Sequence, residues 1–176
     1  EFEFHAQRSP VVLDRLRSGE YMVGICTGSS DADTDLVSEV IRQEPMVIIP
    51  SGLQSIKYKP GKPLQVLTIE SRSGAWGSIE ENMQRLNLSR VVSVESFFAV
   101  AQMALSDFGH GLVPIGVAHT LGIDDKALIK LPRQHATRPT LTRPVRFVAR
   151  KSMFAQVLVR SFYAEASMHA AAMDVD

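Results

Sequence analysis

Residues 96–114, SFFAVAQMALSDFGHGLVP, hold in one short run a helix start, an apolar helix face, a glycine stop and an apolar strand closed by proline. Ser93 and Ser96 follow the apolar pair Val91 and Val92, and either hydroxyl can accept from the free N–H groups of a first helical turn. Glu95 then lies near the positive end of the helix dipole. Phe97, Val100, Ala101, Ala104, Leu105 and Phe108 recur at three- and four-residue steps, so one helix face is apolar and can lie on a sheet. Gly109 and Gly111 are expected to end the helix, and Leu112, Val113 and Pro114 to form a buried strand. The stretch reads as a β-α-β segment.

The same alternation runs through the rest of the chain. Residues 1–5 alternate charged and aromatic, with Phe2 and Phe4 on one side, the pattern of a half-buried strand. Ser9 before Pro10 reads as a cap and first-turn proline, Val12, Leu13 and Leu16 as an apolar face, and Gly19 as a stop. Residues 21–26 are the next strand, leading into Thr27 and Gly28, and a strand, helix and strand of this length predict a parallel crossover. Residues 36–41 and 46–50 are strand candidates separated by Arg42, Gln43, Glu44 and Pro45. Further strands are expected at 64–69, 90–93, 127–131 and 144–150. Trp76, Ile79, Met83 and Leu86 place a helix at 75–86, a short helix is expected at 116–121, and Ser152 is expected to cap the last one. Residues 133–142, interrupted by Pro139, read as a connecting loop.

A chain of 176 residues that is 45% hydrophobic can bury a core as one domain or two small lobes. Its 19 basic and 19 acidic residues give a formal net charge of zero, with no dense basic run to hold a nucleic-acid backbone. The lone Cys26 excludes an internal disulfide and fits a reducing, cytoplasmic setting. Within YMVGICTG it reads as a buried structural thiol rather than a reactive one. No run approaches the ~18 apolar residues of a membrane span, and no signal-peptide pattern opens the sequence.

No catalytic set stands out. His5, His110, His119, His135 and His169 are scattered without metal-ligand spacing, so neither a metal nor a cofactor is expected. Gly109-His110-Gly111 is too short for a dinucleotide fingerprint, and a Gly-x-Ser-x-Gly elbow is absent. Residues 29–35 carry aspartates but no central glycine or distal acid, which suits a solvated loop better than a calcium site. What remains is loops at strand ends, where an open α/β sheet binds ligands and helix N-termini present free N–H groups. Three such places are Thr27 with Gly28, residues 68–73, and residues 93–97. Thr68, Ser71 and Ser73 offer hydroxyls there, Arg72 can pair with a carboxylate, and Ser93, Glu95 and Ser96 open the central helix. Each of these residues taken singly could equally serve turn or cap chemistry.

The spacing at 96–114 resembles the signature near the end of the effector-binding (regulatory) domain of LysR-type transcriptional regulators, and the resemblance runs from about Phe4 to the last helix. The chain departs from it at Asp107, where the family usually has glycine, and at His110 and Gly111, which replace an aliphatic and a small residue. The resemblance implies an α/β fold of two Rossmann-like lobes of the type 2 periplasmic-binding-protein kind, joined by two hinge crossings. Residues 1–41 and 140–176 would form the first lobe and 42–139 the second, with the family's first strand and helix missing. It implies a domain that binds a small polar effector between its lobes and catalyses nothing, with Thr68 and Glu95 standing where the family commonly places effector contacts. An acidic Glu95 argues against a purely anionic ligand at that spot. Pairing as a homodimer or homotetramer is implied too, and DNA would be held only through an N-terminal winged helix-turn-helix not present here. A solute-binding protein or an enzyme on the same two-lobed fold is the alternative, because fold does not settle function.

Overall fold

Met46, Val47, Ile48 and Ile49 are each at most 2% exposed, which four consecutive strand residues achieve only when both faces of their sheet are covered. The computed structural model describes residues 3–27, 35–56, 58–59, 62–69, 76–135, 138–139 and 141–173, with the backbone alone at 76–78, 133–135 and 138–139. Its elements in chain order are α1 (Ser9–Ser18), β1 (Val23–Thr27), β2 (Leu36–Ile49), β3 (Leu64–Ile69), α2 (Trp76–Arg85), β4 (Leu88–Val94), α3 (Phe97–Leu105), β5 (His110–Pro114), α4 (Ile115–Thr120), β6 (Ile129–Lys130), β7 (Arg133–His135), β8 (Arg138–Pro139), β9 (Thr142–Arg150), α5 (Lys151–Phe154) and α6 (Val157–Ala172). The chain divides into two units, one of Glu1–Gln43, Ser73–Ala75 and Pro144–Asp176, the other of Glu44–Arg72 and Trp76–Arg143. Apart from the short stretch 73–75, the division falls within β2 and within β9.

In the second unit the strands run in the order β2-β5-β3-β4, with β6 also paired to β2. β3 is parallel to β4 and to β5, while β5 and β6 are antiparallel to β2. Alternation along the strands sends Met46, Ile48, Val66 and Leu112 to one face, where they meet Ile79 and Met83 of α2. Val47, Ile49, Leu67 and Val113 go to the other, against Val100, Ala101 and Ala104 of α3 and Val117 and Ala118 of α4. Gly111 lets α3 approach, since a Cβ there would stand 3.0 Å from the Ala104 Cβ.

The expected break between two strands at 42–45 is instead one continuous strand. Pro45 immediately precedes Met46, where the ladder with β5 begins, so its missing N–H costs that ladder nothing. α3 stops at Leu105, before the glycines expected to end it, and Phe108 is 73% exposed rather than on the apolar face. Asp107 takes a left-handed φ of 65°, the conformation that favours the glycine of the resemblance. Its carboxylate, accepting from the Ser51 hydroxyl at 2.6 Å, offsets part of that strain. The expected loop at 133–142 holds the short antiparallel pair β7 and β8.

The first unit orders its described strands β1-β9-β2, and β1 pairs antiparallel with β9, where the crossover reading of residues 1–26 leads to a parallel sheet. Residues 3–5 are not a strand, and Phe4 is 83% exposed. With no ladder to join, that segment is held by stacking, the His5 ring lying 5.3 Å from that of Tyr21. α1 begins at Ser9 with Arg8 as its cap, leaving the Ser9 hydroxyl to accept from the Thr27 N–H at 3.0 Å. Gly19 ends α1 at φ 83°. One sheet face packs Cys26 and Val148 on Val12 and Leu16 of α1. The other buries Phe147 among Phe154 and Tyr163, whose ring centroids lie 6.3 and 5.4 Å away. The expected single last helix is two, and neither is capped by Ser152, which lies inside α5.

At Gly24 of β1 this packing leaves no room for a side chain, since a Cβ there would stand 2.6 Å from Val12 Cγ1 and 3.2 Å from Leu16 Cδ1. Gly24→Ala should therefore lower the urea midpoint, by the equivalent of about 1–3 kcal/mol. An unchanged midpoint would show that α1 can move away from β1 at no cost.

Candidate functional site

The parallel register of β3 and β4 sets Thr68 beside Ser93 and Ile69 beside Val94, so both strands end at the same edge of the second unit. α3 starts two residues beyond β4. Ser96 is its cap, its side chain accepting from the Phe98 N–H at 3.2 Å. Ser93, Glu95 and Ser96 are exposed beside this helix end. Thr68 is completely buried, and its Oγ1 has no hydrogen-bond partner among the described residues. A buried orphan hydroxyl is costly to keep and is uncommon in folded proteins.

Of the residues proposed from the sequence, the structure thus brings Thr68, Ser93, Glu95 and Ser96 to one strand edge. Thr27 belongs to the other unit, where its backbone N–H is taken up by Ser9 and its hydroxyl lies 3.4 Å from the Ser9 hydroxyl. Gly28, Ser71, Arg72 and Ser73 lie outside the described residues.

One feature beside this helix end was missed in the sequence. The Glu44 side chain, 8% exposed, accepts from Arg143 Nε at 2.7 Å and from the Gly116 N–H at 3.2 Å. The Arg143 guanidinium in turn lies 5.1 Å from the ring centroid of Phe97, the first residue of α3. Buried pairs of this kind contribute little net stability, yet removing one partner costs about 3–5 kcal/mol because the other charge is left buried.

Elsewhere in the second unit, a shallow cleft of about 260 Å³ is lined by Ile56, Tyr58, Lys59, Lys62, Pro63 and Leu64. It borders the start of β3, about 13 Å along the strand from Thr68. The Tyr58 hydroxyl is already donated to the Leu86 carbonyl at 3.0 Å. Among the described residues no group of three His, Cys, Asp or Glu side chains could hold a metal, and no helix is long and apolar enough to cross a membrane.

Residues 1–171 match the family model of the LysR substrate binding domain. The chain belongs to that family. It is 23% identical over 147 residues to an uncharacterized HTH-type transcriptional regulator of Vibrio cholerae, a match covering 83% of this chain and 48% of that protein. This chain therefore spans about half the length of the curated relative it matches. The sulfate-bound regulatory domain of an OxyR2 variant from Vibrio vulnificus superposes with a TM-score of 0.63 at 21% identity, over 92% of this chain and 76% of that one. The effector binding domain of QuiR in complex with shikimate gives 0.66 at 12% identity, over 93% and 78%. The fold of this LysR substrate binding domain is thus the mixed α/β, periplasmic-binding-protein-like one shared by those regulatory domains.

The buried Cys26 thiol is pushed up to about 11 by loss of solvation. At pH 8 its thiolate is scarcer than that of an ordinary cysteine by about hundredfold, and iodoacetamide should alkylate the folded chain at least that much more slowly than the unfolded one. Equal rates would mean that β1 opens freely. The orphan hydroxyl of Thr68 yields a second expectation. Thr68→Val removes a buried polar atom while keeping shape and β preference, so the ligand-free melting temperature should hold or rise. A fall of several degrees would show that Oγ1 has a partner.

Proposed function

We propose that this LysR substrate binding domain is the ligand-sensing part of a transcriptional regulator, taking a small polar effector at the carboxyl ends of β3 and β4 and the amino end of α3. The buried, unpartnered hydroxyl of Thr68 supports this reading most directly, because a ligand oxygen is the kind of partner that would repay its desolvation. Ser93, Glu95 and Ser96 supply exposed polar groups at the same edge, the free N–H groups of α3 add partial positive charge, and residues 71–73 come one residue after the end of β3 in the sequence. Glu95 tilts preference toward an effector with hydroxyl or cationic groups as well as acceptors. QuiR, of similar fold, binds shikimate, a polyhydroxylated acid. The effector's differential affinity for two states of the domain would alter DNA binding by an N-terminal winged helix-turn-helix outside these residues, in a cytoplasmic homodimer or homotetramer. The formal charge of zero agrees with DNA being held elsewhere. No reaction is expected of this domain.

Sensing through thiol chemistry is a poorer fit, because the chain has a single cysteine and that thiol is buried with its ionisation suppressed.

Calorimetric titration with shikimate as first probe, then with other small hydroxy acids and amino acids, tests the site. Thr68→Val should weaken binding of whichever probe raises the melting temperature by up to about tenfold, the worth of one hydrogen bond. Equal affinity in the two proteins would remove Thr68 from the site, and turnover of the probe would overturn the regulatory reading.

A further inference from the structure

Four elements of the second unit converge on the Glu44 carboxylate. Glu44 is in β2, Arg143 in β9 and Gly116 in α4, while Phe97 of α3 carries the guanidinium on its ring. Glu44 and Arg143 are also the first and the final residue of this unit, whose borders fall between Gln43 and Glu44 in β2 and between Arg143 and Pro144 in β9. The ring of Phe97 sits on the first turn of α3, and helical side chains lean back toward the amino end. The cation therefore stands on the structural neighbour of the cap, Ser96, and is tethered to both departing strands. Gly116 fits the same design, since a Cβ there would stand 2.6 Å from Glu44 Oε1. A pair of this burial specifies an arrangement rather than adding stability.

We infer that the Glu44–Arg143 pair couples the amino end of α3 to the two strands by which the chain leaves the second unit, so that what happens at that helix end is felt in β2 and β9. This regulation rests on the proposed role of the α3 end as an effector contact. A ligand that tightens or shifts the first turn moves the Phe97 ring, the guanidinium follows its stacking face, and the Nε–carboxylate bond carries the shift to Glu44. Coupling is reciprocal, so loosening the helix end must loosen the same strands.

Reciprocity permits a test without any ligand, by amide hydrogen exchange on the chain itself in a double-mutant cycle. Ser96→Ala removes the cap, and Arg143→Gln removes the cation and its stacking. Ser96→Ala should speed exchange by about threefold or more in α3 and also at residues 40–44 and 143–147, and should add nothing at those strand residues when Arg143→Gln is already present. A Ser96→Ala effect confined to α3, or equal increments in both backgrounds, would overturn the coupling, because a purely structural pair gives additive effects. If Arg143→Gln does not fold, two milder variants carry the same cycle. Arg143→Lys keeps the charge but loses the planar face and the Nε donor, and Gly116→Ala displaces the carboxylate with both charges in place. Non-additivity with Ser96→Ala is expected in each, and additivity in both would overturn the coupling. Since the cycle uses no ligand, its failure leaves the titration of Thr68→Val untouched, and absence of any effector would leave its result standing.

Discussion

Coverage of the second unit's sheet on both faces is the constraint from which the candidate site follows. Met46 to Ile49 are buried without interruption, so helices must lie on either side, with α2 over Met46 and Ile48 and with α3 and α4 over Val47 and Ile49. Once α3 is pressed on that face, with Gly111 allowing close approach, its amino end must emerge where the parallel strands β3 and β4 finish. The cap at Ser96 and the orphan hydroxyl at Thr68 are local details of an edge that packing has already placed.

Glu44 and Arg143 show how that edge is connected to the rest of the chain. Each precedes a proline, Pro45 and Pro144, and a residue before proline is driven to extended geometry. Both residues accordingly lie within strands, Glu44 in β2 and Arg143 in β9. The buried pair then constrains α4 through Gly116 and α3 through Phe97.

Elements marked by local apolar runs, helical spacing or cap chemistry were readable in the sequence. The start of the helix at Phe97, with Ser96 of the two candidate caps, the stop at Gly19 and strands β3, β5 and β9 lie where side-chain pattern and cap chemistry placed them. Local pattern misled where pairing partners decide the outcome. The alternation of Phe2 and Phe4 suggested a strand, yet Glu3 to His5 join no ladder. Pro45 suggested a break, yet the ladder it would have interrupted begins one residue later. Ser9 suggested a cap, but its hydroxyl serves Thr27 instead. The candidate site was half legible. Thr68, Ser93, Glu95 and Ser96 could be proposed because strand ends and helix starts are local signals. Glu44 and Arg143 could not, since 99 residues separate them. A charged residue followed by a proline, just ahead of the strand candidate at 46–50 and at the start of the one at 144–150, with opposite signs, is the clue that was available.

The proposed effector site of this LysR substrate binding domain lies where β3 and β4 end and α3 begins. At 19.4 kDa the chain suits two-dimensional amide NMR, and the decisive measurement is a shift map recorded with the metabolite that most raises its melting temperature. The largest shifts are predicted at Thr68, Ile69 and residues 93–98, with weaker ones at Glu44, Gly116 and Arg143. Largest shifts around Ile56, Tyr58 and Leu64, with residues 93–98 unmoved, would place the ligand in the cleft at the start of β3 and contradict the claim.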